Sequence, residues 1–215
     1  MAKFQKDNKY LKEIIFLDGD GTLWYPKETK HTVNPHWIYK DKHIGKNYLQ
    51  HLTIIPSVNK TLRKLKKHGI VLVLLSTHPY SHKKAAQILK RKVEHFKLSD
   101  FFEEYHATPD DPDAKGNMLV EILKRKHIKK SKALMVGDSY QYDYVSARKV
   151  GVEALLLETR YTKYPPRGKR PTRTIKDFGE ISGLILFNRE SFSCAHGKGG
   201  ANTYRFCTVP FLKKI

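Results

Sequence analysis

Short aliphatic runs alternate with amphipathic helical patterns along most of the 215-residue chain. The aliphatic runs are EIIFLD, IVLVLLS, KALMVGD and VEALLLE. The segments between them include PSVNKTLRKLKKHG, SHKKAAQILKRKVEHF and GNMLVEILKRKH, whose apolar residues recur at helical spacing. Strict alternation of strand and helix predicts an α/β fold, in which helices cover both faces of a parallel sheet.

Polar side chains follow three of the predicted strands, and a lysine stands near the start of a predicted helix. Ligands of such sheets bind beyond the carboxyl ends of the strands, so the sequence predicts that these side chains meet at one edge. They are Asp18 and Asp20, Ser76 and Thr77, Asp138, and Lys115. Asp18 and Asp20 would repel each other at this distance, and the pair predicts a compensating cation, a shared proton or a reaction.

The charge balance is strongly basic, with 41 Lys and Arg against 21 Asp and Glu and a net charge of +20. Such a chain attracts polyanions, which include nucleic acid, polyphosphate and phosphorylated substrates. Because the basic residues are spread over every predicted helix, solvated helix faces explain the same charge equally well.

Cysteine usage and hydropathy exclude several classes of protein. The two cysteines, Cys194 and Cys207, are too few for a disulfide framework and predict a reducing, cytoplasmic setting. No apolar run reaches the roughly 18 residues of a membrane span, and the polar start MAKFQKDNKYLKE predicts no signal peptide. The length suits one sizeable hydrophobic core.

Four segments resemble, in order and spacing, the four motifs of the haloacid dehalogenase superfamily. They are FLDGDGTLW, VLVLLST, DAKGNMLVEIL and LMVGDSYQYD, within a resemblance over about residues 12–187. The resemblance implies a three-layer, Rossmann-like sheet. It makes Asp18 the nucleophile that forms an aspartyl-phosphate, and Asp20 the general acid and then general base. Members that dehalogenate lack an acid at the second position, so Asp20 favours phosphatase or phosphomutase chemistry, and the phosphomutases of the superfamily generally need a cap.

The same resemblance implies a magnesium site. Mg²⁺ would be held by the Asp18 carboxylate, the backbone carbonyl of Asp20 and the Asp138 carboxylate, since a hard divalent cation prefers oxygen ligands. Thr22 would hold the turn after the first strand through its hydroxyl.

The phosphate of the substrate would be bound by residues of three motifs. The backbone at Gly19 would approach it closely, the hydroxyl of Ser76 and the backbone N–H of Thr77 would donate to it, and the ammonium of Lys115 would offset its charge. Asp143 would orient Lys115 and a metal-bound water.

The first insert, residues 23–55, is too short for a folded cap domain. It most resembles the capless, magnesium-dependent phosphatase branch, from which the chain departs at Gly21. In the third motif, Lys115-Gly116 replaces the Lys-Pro that is usual in the family. We expect a phosphatase domain over residues 1–187 and a C-terminal extension of unknown role over residues 188–215.

Two other functions are compatible with these residues. The first is a phosphatase of nucleic-acid ends, 3′ or 5′, drawn to its substrate by the basic charge. The second is a non-catalytic protein that binds nucleic acid or another polyanion on the same scaffold. The expected partners are therefore a phosphorylated small molecule, protein or nucleic-acid end, and no membrane.

The insert is rich in aromatic and histidine side chains. The aromatic residues are Trp24, Tyr25, Trp37 and Tyr39. Two predictions are possible for them: their rings stack on a nucleic-acid base, or they pack the loop onto the sheet. The histidines are His31, His36, His43 and His51. Two predictions are possible for them as well: they form a zinc site, or they bind nothing. His78 and His82 flank the loop after the second motif, where they either reach the substrate phosphate or lie in solvent.

Overall fold

The structure, a computed structural model, describes residues 12–165, 170–171 and 173–193, with the backbone alone at residues 45–46 and 187–193. The last described helix, α5 (Glu180–Ser193), crosses the boundary expected at residue 187. The rest of the expected extension, with both cysteines, lies outside the described residues.

Six parallel strands form the central sheet, which confirms the predicted α/β fold. Numbered along the chain and given in spatial order, they are β5 (Glu104–Thr108), β4 (Val71–Thr77), β1 (Ile14–Leu17), β6 (Ala133–Gly137), β7 (Glu153–Leu157) and β8 (Thr174–Ile175). The strand β1 lies between β4 and β6 and is buried along its whole length. A strand buried on both faces reads as a continuous apolar run, as the sequence does here.

Helices cover both faces of this sheet. They are α1 (Val58–Lys67), α2 (His82–His95), α3 (Ala114–Arg125), α4 (Ser146–Lys149) and α5. One core cluster joins apolar side chains of α1, α2 and α5, and a second joins those of α3 and α4 on the opposite face. Within the described ranges, none of the helices has the length and apolar character needed to cross a membrane.

The insert between β1 and α1 folds as a small lobe against the main core. It contains an antiparallel pair, β2 (Trp24–Pro26) and β3 (Leu52–Ile54), and two 3₁₀ helices at Pro35–Tyr39 and Gly45–His51. Its buried Ile38 and Leu52 belong to the same core cluster as the side chains of α1 and α2. The insert therefore adds a wall to the domain and no separate cap.

Candidate active site

The chain turns sharply after β1, over the carboxyl edge of the sheet. The N–H of Asp18 still donates to a carbonyl of β6 at 2.9 Å, which fixes Asp18 at the edge. Gly21 has a φ of +83°, and a Cβ there would lie 2.3 Å from Asp138 Oδ2. A Cβ at Gly19 would lie 2.6 Å from the ring of Trp24. Both glycines are required because the turn packs closely on its neighbours.

Three buried carboxylates meet at this edge. Those of Asp18, Asp138 and Asp143 each offer an oxygen, and these oxygens all lie within 4.8 Å of one another. The buried ammonium of Lys115 contacts Asp18 Oδ1 and lies 2.5 Å from Asp143 Oδ1. Because one ammonium faces three carboxylates, the cluster carries excess negative charge when all three are ionised.

Burial and mutual repulsion oppose ionisation of Asp18 and Asp138. Burial raises the pKa of Asp18 well above its usual range; Lys115 opposes the rise, whereas Asp143 and Asp138 add to it. Burial and the charge of Asp143 also raise the pKa of Asp138. A divalent cation would offset the repulsion, and buried carboxylate oxygens are suitable ligands for Mg²⁺. The residues present therefore fit the expected metal.

Two hydroxyl groups hold the Asp138 carboxylate. Thr22 Oγ1 donates to Asp138 Oδ1 at 3.3 Å, so the turn after β1 is tied to the end of β6. Tyr161, from the segment after β7, donates its phenolic hydrogen to Asp138 Oδ2 at 2.5 Å. These contacts fix the direction in which the carboxylate points.

The third and fourth motifs meet through a close approach of two helical segments. The N–H of Gly116, next to Lys115, donates to Ser146 Oγ at 2.8 Å, and a Cβ on Gly116 would lie 2.6 Å from the Ser146 carbonyl oxygen. Proline has no N–H to donate here, which gives a physical reason for Lys-Gly in place of Lys-Pro. Asp143 is held by the N–H of Ser139 at 2.9 Å.

Asp20 lies in a buried group of its own, apart from the acidic cluster. Its Oδ2 is 2.5 Å from Lys92 Nζ, while its Oδ1 accepts hydrogen bonds from Tyr39 at 2.8 Å and Trp24 at 2.9 Å. The same ammonium donates to His78 Nε2 at 3.0 Å. Both carboxylate oxygens are thus engaged by α2 and the insert.

Lys92 determines the charge of Asp20. Burial, the largest single influence, would raise the pKa of Asp20, but Lys92 and neighbouring histidines outweigh it and hold this pKa well below its usual range. Burial and Lys92 lower the pKa of His78 to about 3, so His78 is neutral near pH 7 and Lys92 is the effective cation. Asp20 and Lys92 therefore form a buried ion pair.

The second motif places its two hydroxyl groups differently. Thr77 lines the cavity above Asp18, and its Oγ1 lies 2.9 Å from Thr108 Oγ1. Ser76 is buried, and its Oγ has no hydrogen-bond partner among the described residues. A buried hydroxyl without a partner is costly, and a ligand oxygen would satisfy it.

A cavity of about 280 Å³ opens above these residues. Asp18, Asp20, Asp138 and Lys115 lie among the residues that line it, and the first 3₁₀ helix of the insert closes one side with Pro35 and His36. The structure thus brings Asp18, Asp20, Thr77, Lys115, Asp138 and Asp143 of the sequence prediction to one cavity, with Gly19, Thr22 and Ser76 packed beneath it.

The family of haloacid dehalogenase-like hydrolases matches residues 1–157 of the chain. The chain belongs to this family. The resemblance drawn from the four motifs is therefore confirmed.

Curated relatives of this haloacid dehalogenase-like hydrolase include two phosphatases. A phosphoglycolate phosphatase from Rhodobacter capsulatus is 24% identical over 133 residues, which are 62% of this chain and 58% of that protein. A ribulose-1,5-bisphosphate 5-phosphatase from Halopiger xanaduensis is 24% identical over 147 residues, 64% of this chain and 59% of that protein. The matches thus span less than two thirds of these relatives.

Solved structures share the fold. A haloacid dehalogenase-like family hydrolase from Xanthomonas campestris superposes with a TM-score of 0.59, over 84% of this chain and 99% of that one, at 15% identity. At this identity the likeness concerns the fold alone.

Sequence reasoning missed two residues of the hydrolase site, Lys92 and Tyr161. A signal for Lys92 was available, because it follows Ala85 and Leu89 at helical spacing on the buried stripe of α2. A lysine on such a stripe predicts a buried partner. Tyr161 carries no comparable signal, since it lies in an irregular segment whose position depends on the whole fold.

The aromatic residues of the insert divide into two groups. Trp24 is fully buried, with its ring stacked on Phe96 at 5.6 Å between centroids, and Tyr25 is buried as well. The packing alternative is therefore correct for these two, and Trp24 offers no surface for a base. Tyr39 is half-buried and carries the hydrogen bond to Asp20.

The insert histidines do not gather around a metal. In the part of the chain that the structure describes, the acidic cluster is the one group of three or more potential metal ligands, and no histidine belongs to it. His31 Nε2 instead donates to the carbonyl of Gly21 at 2.8 Å, and His36 lines the active-site cavity. His78 is buried beside Lys92, so the alternative in which it lies in solvent is wrong.

Proposed function

We propose that this protein is a Mg²⁺-dependent phosphomonoesterase that works through an aspartyl-phosphate on Asp18. One observation carries the proposal: the ammonium of Lys115 lies between Asp18 and Asp143 at the carboxyl edge of the sheet, with Asp138 beside them. A carboxylate nucleophile, a fixed positive charge and two further acids form a site suited to a phosphate monoester and its metal.

The chemistry has two steps. An Asp18 oxygen attacks phosphorus and the bond to the substrate oxygen breaks. That oxygen leaves as an alcohol with a proton that comes from the Lys92 ammonium through Asp20, because Asp20 itself is ionised in the ion pair. Water then attacks the aspartyl-phosphate, Asp20 takes a proton from it, and inorganic phosphate and free Asp18 result. The proton is returned to the hydrogen-bonded group that Asp20 forms with Lys92.

The remaining residues bind the phosphate and the metal. Lys115 offsets the negative charge that develops on the phosphoryl oxygens, and Ser76 and Thr77 offer donors at the end of β4. Asp18, Asp138 and the Asp20 carbonyl would hold Mg²⁺. When bound, Mg²⁺ neutralises the crowded carboxylates and polarises the phosphate.

The curated relatives support this reaction class. Both are named as phosphatases, one of phosphoglycolate and one of ribulose 1,5-bisphosphate. Asp20 argues for the same class, because a leaving alcohol needs a proton and a leaving halide does not. The cytoplasmic setting inferred from the cysteine count stays a prediction.

Hydrolysis of an aryl phosphate tests the proposal. We expect turnover with Mg²⁺, none after EDTA treatment, and none in Asp18→Asn protein at any Mg²⁺ concentration. Asp100→Asn, a change of the same type on the surface, serves as the matched control and should retain full activity. If Asp18→Asn and wild-type protein were equally inert on aryl phosphate and on a panel of phosphorylated metabolites, the non-catalytic alternative would replace the phosphatase.

A further inference from the structure

A second and larger cavity, of about 590 Å³, lies between α2 and the insert. We name it the tyrosine groove after its three rings, Tyr39, Tyr48 and Tyr80. Three cations of α2, Lys84, Lys90 and Arg91, also line it. Together these residues form a site that the chemistry at Asp18 leaves unused.

The tyrosine groove is connected to the candidate active site through Tyr39. The hydroxyl of Tyr39 donates to Asp20 at 2.8 Å, while the same residue lines the groove. If Asp20 protonates the leaving oxygen, as the proposed function requires, the remainder of the substrate lies on the Asp20 side of the phosphate. Tyr39 therefore lies between Asp20 and the groove.

The chemistry of the groove favours an anion that also carries flat rings. Its three cations face one acid, Glu94, which lies 3.8 Å from Lys90. Lys84 Nζ lies 3.9 Å from the centre of the Tyr80 ring, so positive charge and an aromatic face occur together. Tyrosine faces stack unpaired bases, and nearby cations follow a phosphate backbone.

Tyr48 provides an independent observation, because it brings an unpartnered polar atom to the groove. The residue is 7% exposed, and its hydroxyl has no hydrogen-bond partner among the described residues. Such a group is costly in a folded protein unless a bound molecule completes it. A sugar hydroxyl or a phosphate oxygen in the groove would do so.

We propose that the tyrosine groove binds the end of a single-stranded nucleic acid and presents its terminal phosphate to Asp18. This proposal rests on the proposed function and assigns it a substrate class. The groove is larger than a small phosphorylated acid or sugar needs. It places the half-buried rings of Tyr39 and Tyr80 beside its cations, an arrangement that suits unpaired bases rather than a stacked duplex. The net charge of +20 would raise the rate of encounter with such a substrate.

Binding of a fluorescent single-stranded oligonucleotide with a terminal phosphate, followed by anisotropy at several salt concentrations, tests this proposal. The protein would carry Asp18→Asn and contain Mg²⁺, so that binding is measured without turnover. We expect Lys84→Gln and Arg91→Gln each to weaken binding about threefold or more and to reduce the salt slope by about 0.7, the loss of one phosphate contact. Tyr80→Ala should weaken binding about tenfold through lost stacking.

The matched control is Lys124→Gln. Lys124 is exposed on α3, across the sheet from α2, and this change removes the same charge from the same residue type. We expect no change in affinity or salt slope. If Lys124→Gln weakened binding as much as Lys84→Gln does, the proposed groove site would be wrong, and attraction by the overall positive charge would explain the binding. Equal affinity for a blunt duplex would lead to the same conclusion. Tighter binding of a phosphorylated acidic peptide would overturn the nucleic-acid assignment.

The two proposals fail separately. Groove-dependent oligonucleotide binding in a protein that hydrolyses no phosphate would overturn the phosphatase and support the groove. The protein could instead hydrolyse small phosphates while substitutions of Lys84, Arg91 and Tyr80 leave its affinity for the oligonucleotide unchanged. That result would overturn only the proposal for the groove.

Discussion

Lys92 Nζ lies 2.5 Å from Asp20 Oδ2, and the two side chains are only 0% and 1% exposed. Charges buried in this way interact far more strongly than they would at the surface. The general acid expected of the family is therefore held by a lysine of α2 that belongs to none of the four motifs. We expect Lys92 to act through Asp20 as a positioning residue, since it contacts Asp20 and does not line the active-site cavity.

Lys92→Met should lower turnover of an alkyl phosphate by about 10²-fold or more, because Asp20 would no longer be held for proton transfer. Turnover of an activated aryl phosphate should fall much less, since its leaving oxygen needs little protonation. Steady-state kinetics on both substrates measure this difference. Lys83→Met, an exposed change on the same helix, should leave both rates intact.

A double-mutant comparison separates positioning from a purely structural role. If Lys92 acts through Asp20, then Asp20→Asn and the Asp20→Asn/Lys92→Met protein should turn over alkyl phosphate equally slowly. If the loss of turnover in the double variant equalled the product of the losses in the two single variants, Lys92 would not act through Asp20. Removing one partner of a buried pair also costs about 3–5 kcal/mol of folding free energy, so unfolding of each variant must be measured beside its kinetics.

Gly116→Ala should destabilise the protein by about 1–3 kcal/mol, because the new Cβ would lie 2.6 Å from the Ser146 carbonyl oxygen. Gly183→Ala is the matched control: it lies in α5 with no atom within 4 Å of the new methyl group, and it should stabilise by up to about 1 kcal/mol. Urea denaturation of both variants measures the sign of the change in the free energy of unfolding for each. Shifts in the same direction would show that helix propensity, rather than the contact with Ser146, decides both.

Mg²⁺ should raise the unfolding temperature of the protein, because a cation that binds only the folded acidic cluster stabilises it by mass action. The gain should approach about 2.7 kcal/mol at a hundred times the dissociation constant. Thermal unfolding during a Mg²⁺ titration measures it without reference to activity. Asp138→Asn should abolish most of the rise and Asp100→Asn none of it; an undiminished rise in Asp138→Asn would place the metal elsewhere.

Glu104 should make stability depend on pH in the acid range. Burial opposes ionisation of this carboxyl, but contacts with Arg125, His106 and Lys126 outweigh it and lower the pKa to about 2 from an ordinary 4.5. The contribution is therefore present above pH 4.5 and is lost as the pH falls through 2.

Glu104→Gln should accordingly cost about 1 kcal/mol at pH 7, a modest value because Arg125 is exposed. The difference from wild type should shrink steadily below pH 4.5, as urea denaturation at several pH values would show. A difference that stayed constant down to pH 2 would mean that packing, and not charge, is responsible.

The sheet and the acidic edge were predictable because both follow from short-range patterns. Continuous apolar runs define β1, β4, β6 and β7, and the polar residues that end them must meet where parallel strands end. Asp18, Lys115 and Asp138 are examples, since each position follows from the end of a strand or the start of a helix.

The surroundings of Asp20 could not be predicted in the same way. Its contact with Lys92 spans 72 residues, and that with Tyr39 depends on how the insert packs against α2. Neither local propensity nor charge pattern specifies such an arrangement, because it results from the packing of three elements at once. The apolar stripe of α2 indicated that Lys92 is buried but not what it would contact.

The central claim is that Asp18 is a nucleophile, and the most direct measurement is the mass of the peptide that contains it. Asp20→Asn protein would be mixed with an aryl phosphate and Mg²⁺, quenched in acid, digested and weighed. Attack by Asp18 on a good leaving group should persist while hydrolysis of the intermediate slows, so we predict one added phosphoryl group on Asp18. Continued release of inorganic phosphate with Asp18 unmodified, or a phosphoryl group on another residue, would contradict the mechanism.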